Sequence, residues 1–565
     1  MKIMGSAKRL LRATGTYDVA LRLYRAARRR TLPKPVEIRV DPVPAMQPFP
    51  KDVRLVFAVG AIPRQYAGRT ASIFAKTKMF YEVAGVRSQI LTMNYSGELD
   101  DVTRVARDRG ALSEGVEVIN LHEFFGQQSG PASDPITYPV EEPGMSSIRD
   151  RDQEVYRFFE GGIYRLYKRY DYAGRLIVRD HFNENRARTR RDEFYQNGSP
   201  RRVTFYDLHH NLPRQEVYYR ADGTPYLTRW LVLEGQPLAP RVERLTLFDM
   251  EGKPNHVAYS DIGLVHAYLD RVVGDDRVIL SVESRRADPE TLSYERPNVK
   301  QVYVLHNPHI AAPFVDPKKV RPAYRPLLDN ADKVGSVVFL TNAQRADAEA
   351  RYGRRSNFQV IPHAVPKPTI DPSVTRDPRL VVMLARLDQQ KRIPHAIKAF
   401  AKVLQRVPDA RLDIYGRGPD QAALKKLIAE LGVADSVRLR GYTTNPSEVY
   451  QTAAMSLLTS SYEGFGLVIL ESLGHGCPVV SYDLKYGPAD LITDGENGFL
   501  VPDGNTTELA QRVISVLTAP GLQARLSRNA PDALKGFTPE TFVARWSHLF
   551  NRLDNAGWPA TGSES

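Results

Sequence analysis

The chain reads as three regimes of hydrophobic and polar positions. In the first, residues 53–60 (Val-Arg-Leu-Val-Phe-Ala-Val-Gly), 88–92 and 116–120 are short apolar runs, and 71–84 between the first two has helical character. Strand, glycine loop, helix, strand predicts a Rossmann-type opening. From 163 to 250 the pattern changes. Turn signals at Asp171…Gly174, Asn197-Gly198, Asp222-Gly223 and Asp249…Gly252 recur about every 25 residues, with short aromatic and β-branched runs between them. That pattern predicts an antiparallel β-meander. The first regime resumes at 278–282, 302–305, 337–340 and 360–361. A proline-rich linker, 364–378, leads to a further series at 380–384, 412–416, 437–442, 456–459, 477–481 and 495–501.

The expected fold class is α/β, with two Rossmann-like domains, a β-meander inserted in the first and a basic helical arm ahead of it. The boundaries are 1–50 for arm and linker, 51–160 and 256–370 for the two parts of the N-terminal domain, and 161–255 for the meander. The C-terminal domain is 371–536, and a cross-over helix with a tail takes 537–565. Phe542, Trp546 and Phe550 are the apolar positions of that helix.

The densest chemistry lies in Ser461–Val480. Glu463 and Glu471 are separated by seven intervening residues, and Gly464 and Gly466 flank Phe465. The glycines permit a tight loop with N–H groups turned to a ligand. Leu467, Val468, Leu470 and Leu473 predict a helix from that loop, ending at Gly476. A helix N-terminus favours phosphate, whereas carboxylates beside it repel phosphate and suit sugar hydroxyls. Arg386 and Lys391 follow the 380–384 strand and can converge on one oxyanion. Glycine turns at Gly416 and Gly441-Tyr442 end the next two strands. His306-Asn-Pro-His309 follows the 302–305 strand, where side chains point into a ligand crevice. His-x-x-His spacing hints at metal, but no clear carboxylate or cysteine partner is nearby, so no metal is expected.

The Glu-x7-Glu spacing inside Glu463-Gly-Phe-Gly-Leu467…Glu471-Ser…Gly476-Cys-Pro-Val479 resembles the donor signature of the family-4 retaining glycosyltransferases, which have the GT-B fold. Ser481-Tyr-Asp-Leu-Lys-Tyr-Gly-Pro-Ala-Asp490 narrows the resemblance to the branch of the poly(glycerol-phosphate) and poly(ribitol-phosphate) α-glycosyltransferases and the accessory-secretion protein O-GlcNAc transferases. It implies two domains facing a cleft and a UDP-sugar co-substrate, UDP-Glc or UDP-GlcNAc, with no cofactor or metal. The implied catalytic residues are Glu463, His306, Arg386 and Lys391. Donor contacts would come from Arg386, Lys391, Glu463, Gly464, Phe465, Gly466, Leu467, Glu471, Gly416 and Tyr442. Gly68, Arg69 and Thr70 would face the acceptor, and His309 would be an acceptor contact or lie one layer behind. The implied reaction moves an α-linked hexose or N-acetylhexosamine to a polyol-phosphate polymer. A Ser/Thr-rich protein, another surface polysaccharide or a non-catalytic partner role are the alternatives.

Composition and charge adjust this picture. The 565 residues, 42% hydrophobic and 25% charged, suit a multi-domain globular chain. One cysteine, Cys477, excludes an internal disulfide framework, and with no secretory signal in view the expected compartment is the cytoplasm. The net charge of +13 suggests an anionic partner, here an anionic polymer rather than nucleic acid, or reflects arginine used throughout. Residues 1–30 carry nine Lys/Arg against one acid, a basic amphipathic pattern for the inner face of a membrane or for packing on the body. In the meander, Arg186, Arg188, Arg190, Arg191, Arg201 and Arg202 interleave with Tyr and Phe. They suggest a grip on a polyphosphate chain or, with the sheet, a homo-oligomer interface.

Overall fold

The structure is a computed structural model that describes residues 41–64, 68–127, 135–150 and 154–558. The basic arm, 1–30, lies outside the described residues. The chain forms two compact units. One holds Leu305–Asp329 and Val337–Phe542; the other holds Ala45–Val304, Asn330–Ser336 and the chain from Val543 onward. This division differs from the expected boundary near 370, because residues 305–329 and 337–370 group with the C-terminal domain.

In the first unit six parallel strands run in the spatial order Val437–Gly441, Arg411–Tyr415, Asp377–Leu384, Ala453–Leu458, Val479–Asp483, Gly498–Pro502. Numbered along the chain this is 3-2-1-4-5-6, the doubly wound order. Asp377–Leu384 is the middle of the core, with Val381, Val382 and Met383 fully buried. On one side the helix Ile393–Leu404 lays down Ala396, Ile397, Phe400 and Val403, apolar positions at the three- and four-residue spacing of a buried face. The order reverses between Asp377–Leu384 and Ala453–Leu458, and sheets of this kind bind ligands outside the C-terminal ends of the strands at such a switch point. The loops at those ends are 385–392 and 459–466.

The other unit has parallel strands in the order Val116–Asn120, Ser88–Thr92, Val53–Val59, Arg277–Val282, Val299–Val304. Between Val116–Asn120 and Arg277–Val282 the chain forms a 10-stranded sheet of consecutive antiparallel strands, from Ser146–Arg149 to Pro254–Ala258. The meander is therefore longer at both ends than 161–255. Its turns fall on the expected residues. Asp171 Oδ1 accepts the Ala173 N–H at 2.9 Å, and Gly174, Gly198, Gly223 and Gly252 all take positive φ. The helix Pro539–Asn555 packs Trp546 and Phe550 against Phe80 in this unit.

The meander's arginines are largely committed. Arg188 and Arg191 reach the buried Asp180, Arg190 and Arg179 reach the buried Asp192, Arg201 bonds Glu123 at 2.8 Å, and Arg202 pairs with Glu193. Five of the six arginines expected to grip a polyphosphate are thus held by carboxylates, which costs any anion that would displace them. Alternating charge along strands reads the same whether a partner is a ligand or a neighbouring strand, so the sequence could not separate these.

Candidate active site

The loops at the point where strand order reverses are stitched together. Gln390 donates its side-chain amide to the Tyr462 carbonyl at 3.1 Å, and the Ser461 N–H returns to the Gln390 carbonyl at 2.7 Å. Thr459 Oγ1 donates to the Lys391 carbonyl at 2.9 Å, and Arg392 donates to the carbonyls of Thr459 and Ser460. Arg392 is therefore occupied, and its neighbour Lys391 turns to Glu463.

Lys391 Nζ lies 2.5 Å from Glu463 Oε1, and Ser460 Oγ donates to the same oxygen at 2.6 Å. Both side chains are largely buried, 13% and 10% exposed. Among the described residues Glu463 Oε2 accepts no hydrogen bond. One carboxylate oxygen is thus anchored and the other is open. The ammonium has three N–H bonds and spends one on Glu463. The arrangement can offer an acceptor and a cation side by side.

Arg386 is exposed and pairs with Asp388 at 3.0 Å and Gln390 at 3.0 Å. Asp388 Oδ1 also caps the turn at the Lys391 N–H. Arg386 and Lys391 stand on one loop, each held by its own carboxylate. Gly416, with φ of +148°, leaves no room for a Cβ against the Ala385 carbonyl, so that turn lies directly on the Arg386 loop. Tyr442 follows the strand Val437–Gly441 and is 65% exposed.

Gly464 and Gly466 have distinct structural reasons. A Cβ on Gly464 would overlap the His306 carbonyl, whereas Gly466 is left-handed at φ +93° and opens the helix Leu467–Gly474. Phe465 is buried, edge-on to His363 and Phe537. Its side chain belongs to the core, so any donor contact at this position falls to its backbone. Leu467 is half-buried at the first helical position. Glu471 is half-buried on the second turn. Burial pushes its carboxyl up to about 7, and its side chain makes no hydrogen bond or ion pair among the described residues.

His306 is half-buried, and its ring stacks on His363 at 5.7 Å. Of the two places expected for His309, a direct acceptor contact or one layer behind, its burial fits the second. His309 is fully buried, parallel to the Tyr486 ring at 6.2 Å, and neither ring nitrogen has a hydrogen-bond partner among the described residues. Burial first, and Lys485 second, lower its pKa to about 3. Proline at 308 and the apolar residues that follow turn this position inward, which the His-x-x-His spacing does not reveal. In the other unit Gly68 has φ +55° ahead of the helix Arg69–Ala84. Arg69 is exposed and donates to Ser284 Oγ at 3.2 Å, and Thr70 is buried. Sequence reasoning missed Gln390 and the contacts of Tyr486, because their partners are tens of residues away, and Ser460, whose partner Glu463 is three residues on but meets it only through the way the loop turns.

Among the described residues no helix is long and apolar enough to cross a membrane, and no group of His, Cys, Asp and Glu is placed to hold a metal.

Comparison with known proteins matches residues 368–533 to the family described as Glycosyl transferases group 1. The chain is 26% identical over 514 residues to the poly(glycerol-phosphate) alpha-glucosyltransferase of Bacillus subtilis, covering 89% of this chain and 75% of that protein. It is 26% identical over 498 residues to the poly(ribitol-phosphate) alpha-N-acetylglucosaminyltransferase of Staphylococcus aureus, covering 86% and 97%. Among solved structures, S. aureus TarM in complex with fondaparinux, alpha-GlcNAc-glycerol and UDP superposes with a TM-score of 0.77 at 23% identity, over 88% of this chain and 100% of that one. The pneumococcal O-GlcNAc transferase GtfA superposes at 0.70 with 18% identity, over 89% and 99%. The fold is of the GT-B type.

Proposed function

We propose, for a glycosyltransferase that carries a glycosyl transferases group 1 domain at residues 368–533, that it moves an α-linked glucose or N-acetylglucosamine from a UDP-sugar to a polyol-phosphate polymer, with retention at the anomeric carbon. The observation that carries the reading is Glu463, anchored through Oε1 by Lys391 and Ser460 and open at Oε2. Support for the acceptor comes from the two teichoic-acid-type relatives and from the basic net charge.

Breaking the donor's glycosidic bond leaves negative charge on a diphosphate. Lys391, with N–H bonds to spare, and Arg386 would stabilise that charge as it develops. The N–H groups that open the helix Leu467–Gly474 add to them. Glu463 Oε2 would accept from sugar hydroxyls and fix the ring. Glu471, two turns along, would accept from the ribose. His306 would reach the donor sugar from the loop that backs Gly464. Gly68, Arg69 and Thr70 would meet the acceptor. Because these cations carry the phosphate charge, the reading includes turnover without added metal.

The test is nucleotide release from UDP-Glc and UDP-GlcNAc, with and without teichoic-acid-type polymer, in excess chelator, beside Glu463→Ala. Acceptor-dependent UDP release that the variant loses supports the reading. Release stimulated only by a Ser/Thr-rich polypeptide would replace the acceptor, and silence with every donor would overturn the reading. Residues 1–30 are proposed to hold the enzyme at an anionic cytoplasmic membrane face. Co-sedimentation with anionic but not neutral vesicles checks this, and deletion of 1–30 should abolish it.

A further inference from the structure

The helix Asn342–Tyr352 buries polar side chains where packing alone would use apolar ones. Gln344 is 0% exposed and Asp347 2% exposed, three residues apart and so on one face. Burying an amide and a carboxylate is unfavourable unless each is hydrogen-bonded. Both are, and their partners lead to the same loop.

Gln344 Nε2 donates to the Asn307 carbonyl at 2.9 Å, while its Oε1 accepts the Leu340 N–H at 3.2 Å. Asn307 and the His306 carbonyl form the wall against Gly464. Asp347 accepts Lys485 Nζ at 2.9 and 2.7 Å on its two oxygens, and Tyr486 Oη donates to Asp347 Oδ2 at 2.7 Å. The Tyr486 N–H in turn donates to the Glu463 carbonyl at 3.1 Å, and Gly487 leaves no room for a Cβ against the Phe465 carbonyl. The Glu463–Gly466 loop therefore lies between two walls, and one helix fixes both.

We propose that Gln344 and Asp347 are positioning residues for Glu463. They act on its backbone through Asn307 and Tyr486, and so set where the free Oε2 points. The proposal rests on the reading of Glu463 as the residue that orients the donor sugar. Neither residue need touch the substrate. Gln344 and Asp347 hold the loop's height and tilt, and Lys391 and Ser460 hold the side chain.

Tyr486→Phe removes one oxygen and keeps the ring packed on His309. Asp347→Asn keeps the shape and removes the charge, and Gln344→Glu removes the donor to Asn307. Two readouts on the purified full chain separate positioning from mere stability. The first is backbone hydrogen exchange in peptides spanning 461–470 and 484–490, which needs no activity. It should speed up about 10-fold in Tyr486→Phe and Asp347→Asn while the global unfolding midpoint holds. The second is steady-state kinetics. A misplaced group costs about 10- to 100-fold in kcat, with the donor KM within about 3-fold of wild type. Unchanged exchange in both peptides, or a kcat loss matched by loss of folded protein, overturns the proposal. If the wild-type chain turns over no UDP-sugar, the proposed function fails, and the exchange experiment still decides whether this helix holds the loop.

Discussion

The carbonyl of His306 occupies the space where a side chain on Gly464 would begin. The two residues are far apart in sequence, yet the donor loop is shaped around that oxygen. Gly464→Ala must push the loop off the His306 strand end, so turnover should fall at least about 10-fold. Gly536→Ala, where nothing stands within reach of the added carbon, is the control. Equal kcat in both variants would refute the steric account.

Lys391 and Glu463 form a largely buried pair whose removal should be asymmetric. Lys391→Met alone leaves a carboxylate without its cation and should destabilise by roughly 3 kcal/mol, while Lys391→Met with Glu463→Gln should recover most of that. Turnover should stay lost in both, which chemical denaturation and UDP release measured together would show.

Glu471 should couple activity and stability to pH in opposite senses. Burial raises its folded pKa to about 7, above the ordinary 4.5 of a glutamate carboxyl. Between these values the folded state holds the proton that the unfolded state has released, so stability falls as pH rises through the window and is lowest above about 7. A carboxylate is needed to accept from a ribose hydroxyl, so the donor KM should fall as pH rises from 6 to 8. Glu471→Gln should gain up to about 3 kcal/mol at pH 8 relative to wild type. It should also bind UDP more weakly and lose the pH dependence of KM. A flat KM profile in the wild type would remove Glu471 from the donor site.

His309 stays neutral across the physiological range, because its pKa lies near 3. His309→Gln should leave the pH profile of turnover unchanged, whereas His306→Ala should lower kcat by up to about 100-fold, the cost of losing a group that positions the substrate. A pH profile that shifts in His309→Gln would show that the histidine titrates after all.

Arg386, exposed and paired with Asp388, should matter mainly for holding the donor. Arg386→Ala should raise the donor KM about 10-fold with folding unchanged, measured by donor titration and thermal melting.

Local rules were enough for the elements that carry the site. Short runs of apolar residues mark the six strands of the C-terminal sheet, and the sheet order seen in the structure then sets residues 385–392 and 459–466 at the crevice. Glycine and aspartate spacing places the meander's turns because those residues satisfy their own backbone, as Asp171 does for Ala173. The glycine-bounded helix after Glu463 follows from the same chemistry. Tertiary structure alone decided what each side chain faces. Phe465 and His309 read as ligand contacts from their motifs, yet both are buried, since a motif fixes backbone direction but not what packs above it. The pairing of Lys391 with Glu463, the walls of the Glu463 loop and the pairing of Arg201 with Glu123 join residues remote along the chain. Such contacts depend on which loops the sheet order brings together, and no local pattern encodes that partner.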